Sequence, residues 1–482
     1  MTEPAGGDRP NIVLVMTDQQ RYDTIAALGY PHMVTPHIDR LVREGVAFVQ
    51  AHVTAPSCTP SRASFFTGLY PSGCGVLRND ESWPRTWVED LAASGYRCIN
   101  VGKMHTSPYE EATGFHERHV VENKDRGTPN VPYLLDNWDK ALHASGLEKP
   151  DRRTLRNRPD YNERLGAFEW TLPERLHADV FVGSVATFWL DTYPGDEPFF
   201  LQVGFPGPHP PYDAPARLLE VYADADIPEV NRHESEFAAM PPQVQSVRRE
   251  HLEHDHDSIV HLENPTAEQL RRQRVHYYAN ITLIDEQIGE LISALERRGV
   301  LEDTVIMVTS DHGDALGDHG LSQKWTMYEP AVHVPAIVHA PGRVRAGITV
   351  PDLISHFDLG ATILDLAGVE QQPGVAARSL RPVLQGEEWQ GRDVVFAQQA
   401  RDGIQRDSEM MTMAFDGRWK LVSFSDSPDD GQLFDLETDP HERHDLWDDP
   451  SAADQRTRLL DRIATWHRDV LYSSRDWWRA VS

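Results

Sequence analysis

Cysteine is scarce. Three in 482 residues cannot build a disulfide framework, so packing rather than cross-linking must hold this chain together. Positive charge is scarce too: 46 Lys and Arg stand against 75 Asp and Glu, a formal net charge of −29. Such a surface disfavours nucleic acid and anionic membranes and repels anionic substrates at long range. Any anion site here must be a local positive pocket. No hydrophobic run approaches the length of a membrane span. The stretch from Met1 to Pro10 carries Glu3 and Asp8 and lacks the basic segment and small-residue cleavage site of a secretion signal. These absences point to a cytoplasmic protein with neither nucleic acid nor membrane as partner. Repeats and low-complexity tracts are also missing.

What is present is a set of buried-strand patterns, each ending in polar chemistry. Asn11–Met16, Tyr96–Val101, Phe199–Gly204 and Thr304–Thr309 are largely apolar runs, as expected of parallel strands covered on both faces. They end at Thr17-Asp18-Gln19, Gly102-Lys103-Met104-His105, Pro208-His209-Pro210 and Ser310-Asp311-His312-Gly313. Ligands of open α/β sheets bind beyond the carboxyl ends of strands. Helical periodicity fills the intervals: Ile38, Leu41 and Val42 within 35–44, and Tyr277 through Leu295 within 276–298. Strand–helix alternation predicts a large α/β sheet flanked by helices over 9–380. After residue 380 come short strands around Val394, Met411 and Trp419, a turn at Asp416-Gly417 and a helix over 456–471. They predict a small C-terminal antiparallel sheet with a helix, 381–482. Residues 107–170 and 213–265 are polar, weakly periodic excursions, either surface padding or substrate-shaping walls.

Cys58 lies in Ser57-Cys58-Thr59-Pro60-Ser61-Arg62, and C-x-P-x-R arises by chance in only about a few per cent of chains this long. A buried thiol before a helix is the blander explanation. A helix starting near Pro60 would bring Arg62 back toward Cys58, with amide donors and a dipole that favour an oxyanion. Asp18, Asp311 and His312, at two strand ends, are suitable metal ligands with Cys58; singly, each acid could be only a cap or turn residue. Lys103 and His105, two apart in an extended segment, would share a side, and the cation would keep the imidazole neutral. His209 is fixed between prolines. Lys324 follows Asp311 in one loop. Asn79 either donates to the same anion or is a turn asparagine. Cations, donors and a metal around one nucleophile would stabilise an oxyanion during group transfer.

Cys58-Thr-Pro60-Ser-Arg62 with Thr67-Gly68, together with the strand-end blocks in the same order, Lys324, and the tail from Leu433 to Leu446, resembles the formylglycine-dependent sulfatases of the alkaline phosphatase superfamily. The resemblance covers nearly the whole chain. It implies an alkaline-phosphatase-like fold and oxidation of Cys58 to formylglycine by a formylglycine-generating enzyme. It also implies one divalent ion, calcium or manganese, on Asp18, Asp311, His312 and residue 58, with Gln19 a further contact. The hydrate of formylglycine would attack sulfur while Arg62, Lys103 and Lys324 hold sulfate oxygens. His209 with Lys324 would protonate the leaving oxygen, and His105 would take the proton that restores the aldehyde. The substrate would be a sulfate monoester of a sugar or small alcohol.

Two positions depart from many sulfatases. Asp18-Gln19 replaces paired aspartates, and His312 replaces an asparagine, which suits a transition metal. Both resemble choline sulfatases and phosphonate monoester hydrolases, and Lys103-x-His105 favours the sulfatase side. The rivals are a phosphonate monoester or phosphodiester hydrolase with the same nucleophile, and a silent anion-binding relative whose Cys58 stays a thiol. The string His251-x-x-His254-x-His256 looks metal-like but reads as a solvated helix face. Cys74 and Cys98 read as buried thiols. Trp466, Tyr472, Trp477 and Trp478 either cap the small sheet or cover a neighbouring subunit of a homo-oligomer.

Overall fold

The computed structural model describes residues 9–127 and 135–481. Residues 1–8, 482 and part of the 107–170 excursion lie outside the described residues. Fourteen strands are described: β1 Asn11–Asp18, β2 Val46–Phe48, β3 Ala51–His52, β4 Arg97–Gly102, β5 Glu117–Val120, β6 Phe199–Pro208, β7 Thr304–Ser310, β8 Ala336–His339, β9 Ile348–Val350, β10 Ile354–Ser355, β11 Val395–Ala400, β12 Met410–Phe415, β13 Trp419–Phe424 and β14 Gly431–Asp435. Eight of them form a mixed sheet in the order β5-β4-β6-β1-β7-β8-β2-β9. β4, β6, β1 and β7 are neighbours and run parallel. β8 runs antiparallel to both β7 and β2. The four apolar runs of the sequence are those four central strands.

Alternation along β1 sorts the core. Ile12, Leu14 and Met16 enter one apolar cluster, Val13 and Val15 the other. The second cluster joins the helices Pro36–Glu44, Ala178–Thr192 and Ala267–Arg298. The first joins the helix Cys58–Thr67 to the C-terminal sheet, β11-β12-β13-β14, all antiparallel. Asp416-Gly417 turns β12 into β13 as its sequence suggests, Gly417 taking φ 93. The last helix runs from Ala453 to Val481, ten residues beyond the expected end. Its aromatic residues explain the extension. Trp466 stacks on Phe396 at 4.5 Å and meets Tyr70 edge-on at 4.8 Å. Trp477 is buried against Ala63, Leu69 and Cys74, whereas Tyr472 stays exposed. Cys74 and Cys98 are buried free thiols.

The C-terminal sheet is also fastened by charge. Lys420 of β13 is fully buried, with Nζ 2.6 Å from Glu329 and 2.7 Å from Glu442. His52 and His333 flank the same Glu329 carboxylate. Replacing Lys420 by Met would strand two buried carboxylates. The expected loss is about 3–5 kcal/mol of unfolding free energy, measured by urea denaturation. A loss below about 1 kcal/mol, the scale of an exposed pair, would contradict this account.

Candidate active site

Parallel strands ending at one level deliver the site. β1 ends at Asp18, and Gln19 turns away with φ 74. Gly102, at φ 96, closes β4, and a Cβ there would lie 2.0 Å from the Gly204 carbonyl oxygen of β6. Only glycine allows that approach, which lets the Lys103 amide donate to Gly204 at 2.8 Å and sets Lys103 over Asp18. The helix Cys58–Thr67 starts two residues before the expected Pro60 and is buried along its whole length. Pro60 still falls in the first turn, where a missing N–H costs nothing. The Thr59 amide donates to Asn79 Oδ1 at 3.0 Å, so Asn79 caps this helix through its oxygen.

Cys58 sits at the centre. Lys324 Nζ donates to its sulfur at 2.9 Å, His312 Nε2 lies 3.2 Å away, and Asp18 Oδ1 lies 3.8 Å away. His312 Nδ1 is 2.9 Å from the Gly313 carbonyl, an acceptor only, so that nitrogen carries the proton and Nε2 presents a lone pair to the sulfur. Burial lowers the pKa of His312 and keeps it neutral. Asp18, Cys58, Asp311 and His312 offer four buried donor atoms, all within 4.8 Å of one another. Two carboxylates, an imidazole and a position-58 ligand fit one divalent ion.

Cations surround this donor set. Arg62 Nε pairs with Asp311 Oδ2 at 2.8 Å, and its Nη2 lies 3.6 Å from Asp18 Oδ2. Lys103 forms an ion pair with Asp18. Burial opposes ionisation of Asp18, yet Lys103, His209, Arg62 and Lys324 hold its pKa well below the carboxylate range. Burial alone would lower the pKa of Lys324; Cys58, Asp18 and Asp257 raise it instead. Burial, then Asp18, pushes the Cys58 thiol up to about 11, so an unmodified sulfur is a poor nucleophile here.

Gln19 does not point its oxygen only at the donor set. Its Oε1 accepts from Lys324 at 3.0 Å, and its Nε2 donates to Asp314 at 2.6 Å. His105 is not extended as its spacing suggests. It takes φ 62, with its amide on Glu122 at 3.0 Å, because the chain must leave the strand end sharply. The electrostatic expectation holds all the same: burial, then Lys103, drives its pKa well below normal. His105 Nδ1 is buried without a hydrogen-bond partner. Burial, then Lys324, lowers His209 to about 3.

The His251 string is a solvated face only in part: His254 is exposed, but His251 is not. His251 and Glu250 are buried, because Val247, Trp325 and Ile404 pack on that side of the helix Pro242–Glu253. His254 and His256 lie 3.1 and 3.3 Å from Glu250 Oε1, which Arg406 also reaches at 2.8 Å. Sequence reasoning missed Asp257, Glu122, Asp314 and Ser61. Ser61 Oγ donates to the Asp311 carbonyl at 2.5 Å. Asp257 and Glu122 come from the two excursions, which therefore wall the site; neither lies in a periodic pattern that would mark it.

Position 58, a metal-type donor set and three cations form the kind of centre that an ester hydrolase of the alkaline phosphatase superfamily would need. Comparison with known proteins agrees. Residues 10–369 match the sulfatase family, and 317–469 match the C-terminal region of N-sulphoglucosamine sulphohydrolase. An arylsulfatase of Clostridium perfringens is 29% identical over 91% of this chain and 90% of its own length. A choline-sulfatase of Rhizobium meliloti is 29% identical over 93% of this chain and 85% of its own. The crystal structure of a phosphonate monoester hydrolase of Agrobacterium radiobacter superposes with a TM-score of 0.80 at 25% identity, covering 96% of both chains. The chain belongs to the sulfatase family and is a sulfuric ester hydrolase by class. Members generally use a metal ion and formylglycine. Among the described residues, no helix is long and apolar enough to cross a membrane.

If the four donors hold the ion, His312→Ala should bind it at least about tenfold more weakly, read by metal content after dialysis. Unchanged stoichiometric metal in that variant would show that the ion sits elsewhere.

Proposed function

We propose that the enzyme hydrolyses sulfate monoesters of a sugar or small alcohol, using formylglycine at position 58. The observation that carries the reading is the setting of Cys58: first residue of a buried helix, inside the four-donor set, with Lys324 on its sulfur. Loaded and matured, the site would supply a hydrated aldehyde nucleophile and a Lewis acid. His312 makes manganese a serious competitor to calcium.

The remaining chemistry belongs to the chain itself. Arg62, Lys103 and Lys324 neutralise the oxygens of the transferring group, preorganised by pairing with Asp311, Asp18 and Gln19. Asn79 adds its amide at the rim of the same helix start. His209 delivers a proton from Nε2 to the leaving oxygen. His105, neutral and with Nδ1 unpartnered, accepts the proton whose removal releases sulfate and restores the resting enzyme. A second reading, phosphonate monoester hydrolysis, draws support from the likeness to the phosphonate hydrolase fold. Lys103 and His105 weigh against it. A formylglycine-generating enzyme would be the maturation partner.

Two measurements test this. Mass spectrometry of the Cys58 peptide should show aldehyde in active preparations; full activity with only the thiol present would refute the nucleophile. Matched aryl sulfate and aryl phosphonate esters should give a higher kcat/KM for the sulfate, and Lys103→Ala or His105→Ala should lower it by roughly 10²–10³-fold. A wild-type preference for the phosphonate, with both variants near full activity, would favour the second reading.

A further inference from the structure

The assignment of His209 as proton donor, on which this inference rests, leaves one charged neighbour without a task. Asp257 Oδ2 lies 3.6 Å from His209 Nε2. The other ring nitrogen, Nδ1, lies 2.8 Å from the Pro210 carbonyl oxygen. A carbonyl only accepts, so Nδ1 keeps its hydrogen in both protonation states and Nε2 is the atom that gains and loses a proton. Asp257 faces that atom.

The carboxylate is held there by a built frame. Arg152 Nη2 donates to Asp257 Oδ1 at 3.1 Å, and Arg152 Nε donates to Asp125 Oδ2 at 2.8 Å. Ser258 Oγ donates to the same Asp125 oxygen at 2.7 Å. Asp257 and Ser258 both take left-handed backbone, φ 51 and 60. Two successive non-glycine residues in that region persist only where surrounding contacts impose it, and such strain gathers at functional sites. Gln323, next to Lys324, donates to the His256 carbonyl at 3.0 Å and ties this turn to the catalytic loop.

The ring needs such help. Burial disfavours a charged His209, and Lys324 and Lys103 disfavour it further; Asp18 and Asp257 act the other way. Asp18 is already shared by Lys103 and Arg62. Asp257 gives Oδ1 to Arg152 and turns Oδ2 to the ring.

We propose that Asp257 is the positioning residue of the His209 acid, stabilising its imidazolium electrostatically while the Pro210 carbonyl holds the ring through Nδ1, so that Nε2–H meets the leaving oxygen. As the bond from the nucleophile to sulfur forms and the ester sulfur–oxygen bond breaks, that bond's electron pair passes to the alcohol oxygen. The oxygen takes the Nε2 proton, and the imidazole ends neutral beside Asp257. Departure of an electron-poor phenol needs little of this assistance, whereas departure of an unactivated phenol or alkyl alcohol needs much.

The test is a leaving-group series of aryl sulfates, from nitrophenyl to unsubstituted phenyl, extended to an alkyl sulfate. Asp257→Asn preserves shape and tolerates left-handed backbone. It should lose less than threefold in kcat/KM on the nitrophenyl ester and tenfold or more on the poorest leaving groups. Asp257→Glu should recover part of the loss. Asp257→Gly, freest of all at positive φ, carries the same expectation should the Asn variant fold poorly. A uniform loss across the series, or none, would overturn the inference. His209→Ala separates the two assignments. A steepened series in His209→Ala beside an unchanged slope in Asp257→Asn refutes the role of Asp257 alone, and a flat loss in His209→Ala removes the acid itself.

Discussion

Five charged side chains lie buried around Cys58: Asp18, Arg62, Lys103, Asp311 and Lys324. Ions at that depth survive only in pairs, because an isolated buried charge costs far more than folding can offset. Arg62 does the pairing that no other side chain could. Its planar fork sends Nε to Asp311, Nη1 to the Lys103 carbonyl at 3.0 Å, and Nη2 toward Asp18. It stands four residues after Cys58, on one turn of the same helix. A single residue thus couples position 58 to both metal-type carboxylates and to the Lys103 loop. A lysine there would supply charge without the fork.

That coupling sets demands on the backbone. Three strand ends and one helix start must converge to within a few ångströms, and the ends of β1 and β4 depart from regular geometry to do so. β1 shifts register against β6 between Met16 and Asp18. Gln19 turns through positive φ directly after β1, and His105 does so three residues after β4. Gly102 and Gly204 give up side chains so that two backbones can touch. The order β4-β6-β1-β7 places these ends side by side, which is why four motifs scattered over nearly 300 positions of sequence form one site.

The strands and their terminal motifs were legible because burial on both faces writes itself as unbroken apolar runs, and β1 shows it plainly. Asp18, Asp311 and His312 were legible as strand-end residues, and Cys58 and Lys324 through the C-x-P-x-R string and the loop after Asp311; the fold brings all five together. His105 was read with the right electrostatics and the wrong backbone, since i, i+2 spacing implies a shared side only for extended chain. Asp257 was invisible: its position depends on two left-handed residues in an aperiodic loop, and on Arg152 more than a hundred residues away. His251 misled in the opposite way. Its polar neighbours suggested solvent, but Trp325 and Ile404 arrive from distant segments to cover it.

The acidic surface and the positive pocket are not in conflict. At physiological salt the Debye length is about 8 Å, so the net charge of −29 acts mainly on approach. Inside the site, water is largely excluded and the nearby ions decide. Arg62, Lys103 and Lys324 stand there against Asp18 and Asp311, with Asp257 beside Lys324 and His209. A transferring group with a single negative charge needs less compensation than a phosphate dianion. Phosphonate monoesters and phosphodiesters are also monoanions, so charge cannot choose between them and sulfates. The choice must fall to groups touching the oxygens individually, and Lys103 and the neutral His105 are the residues proposed for that role.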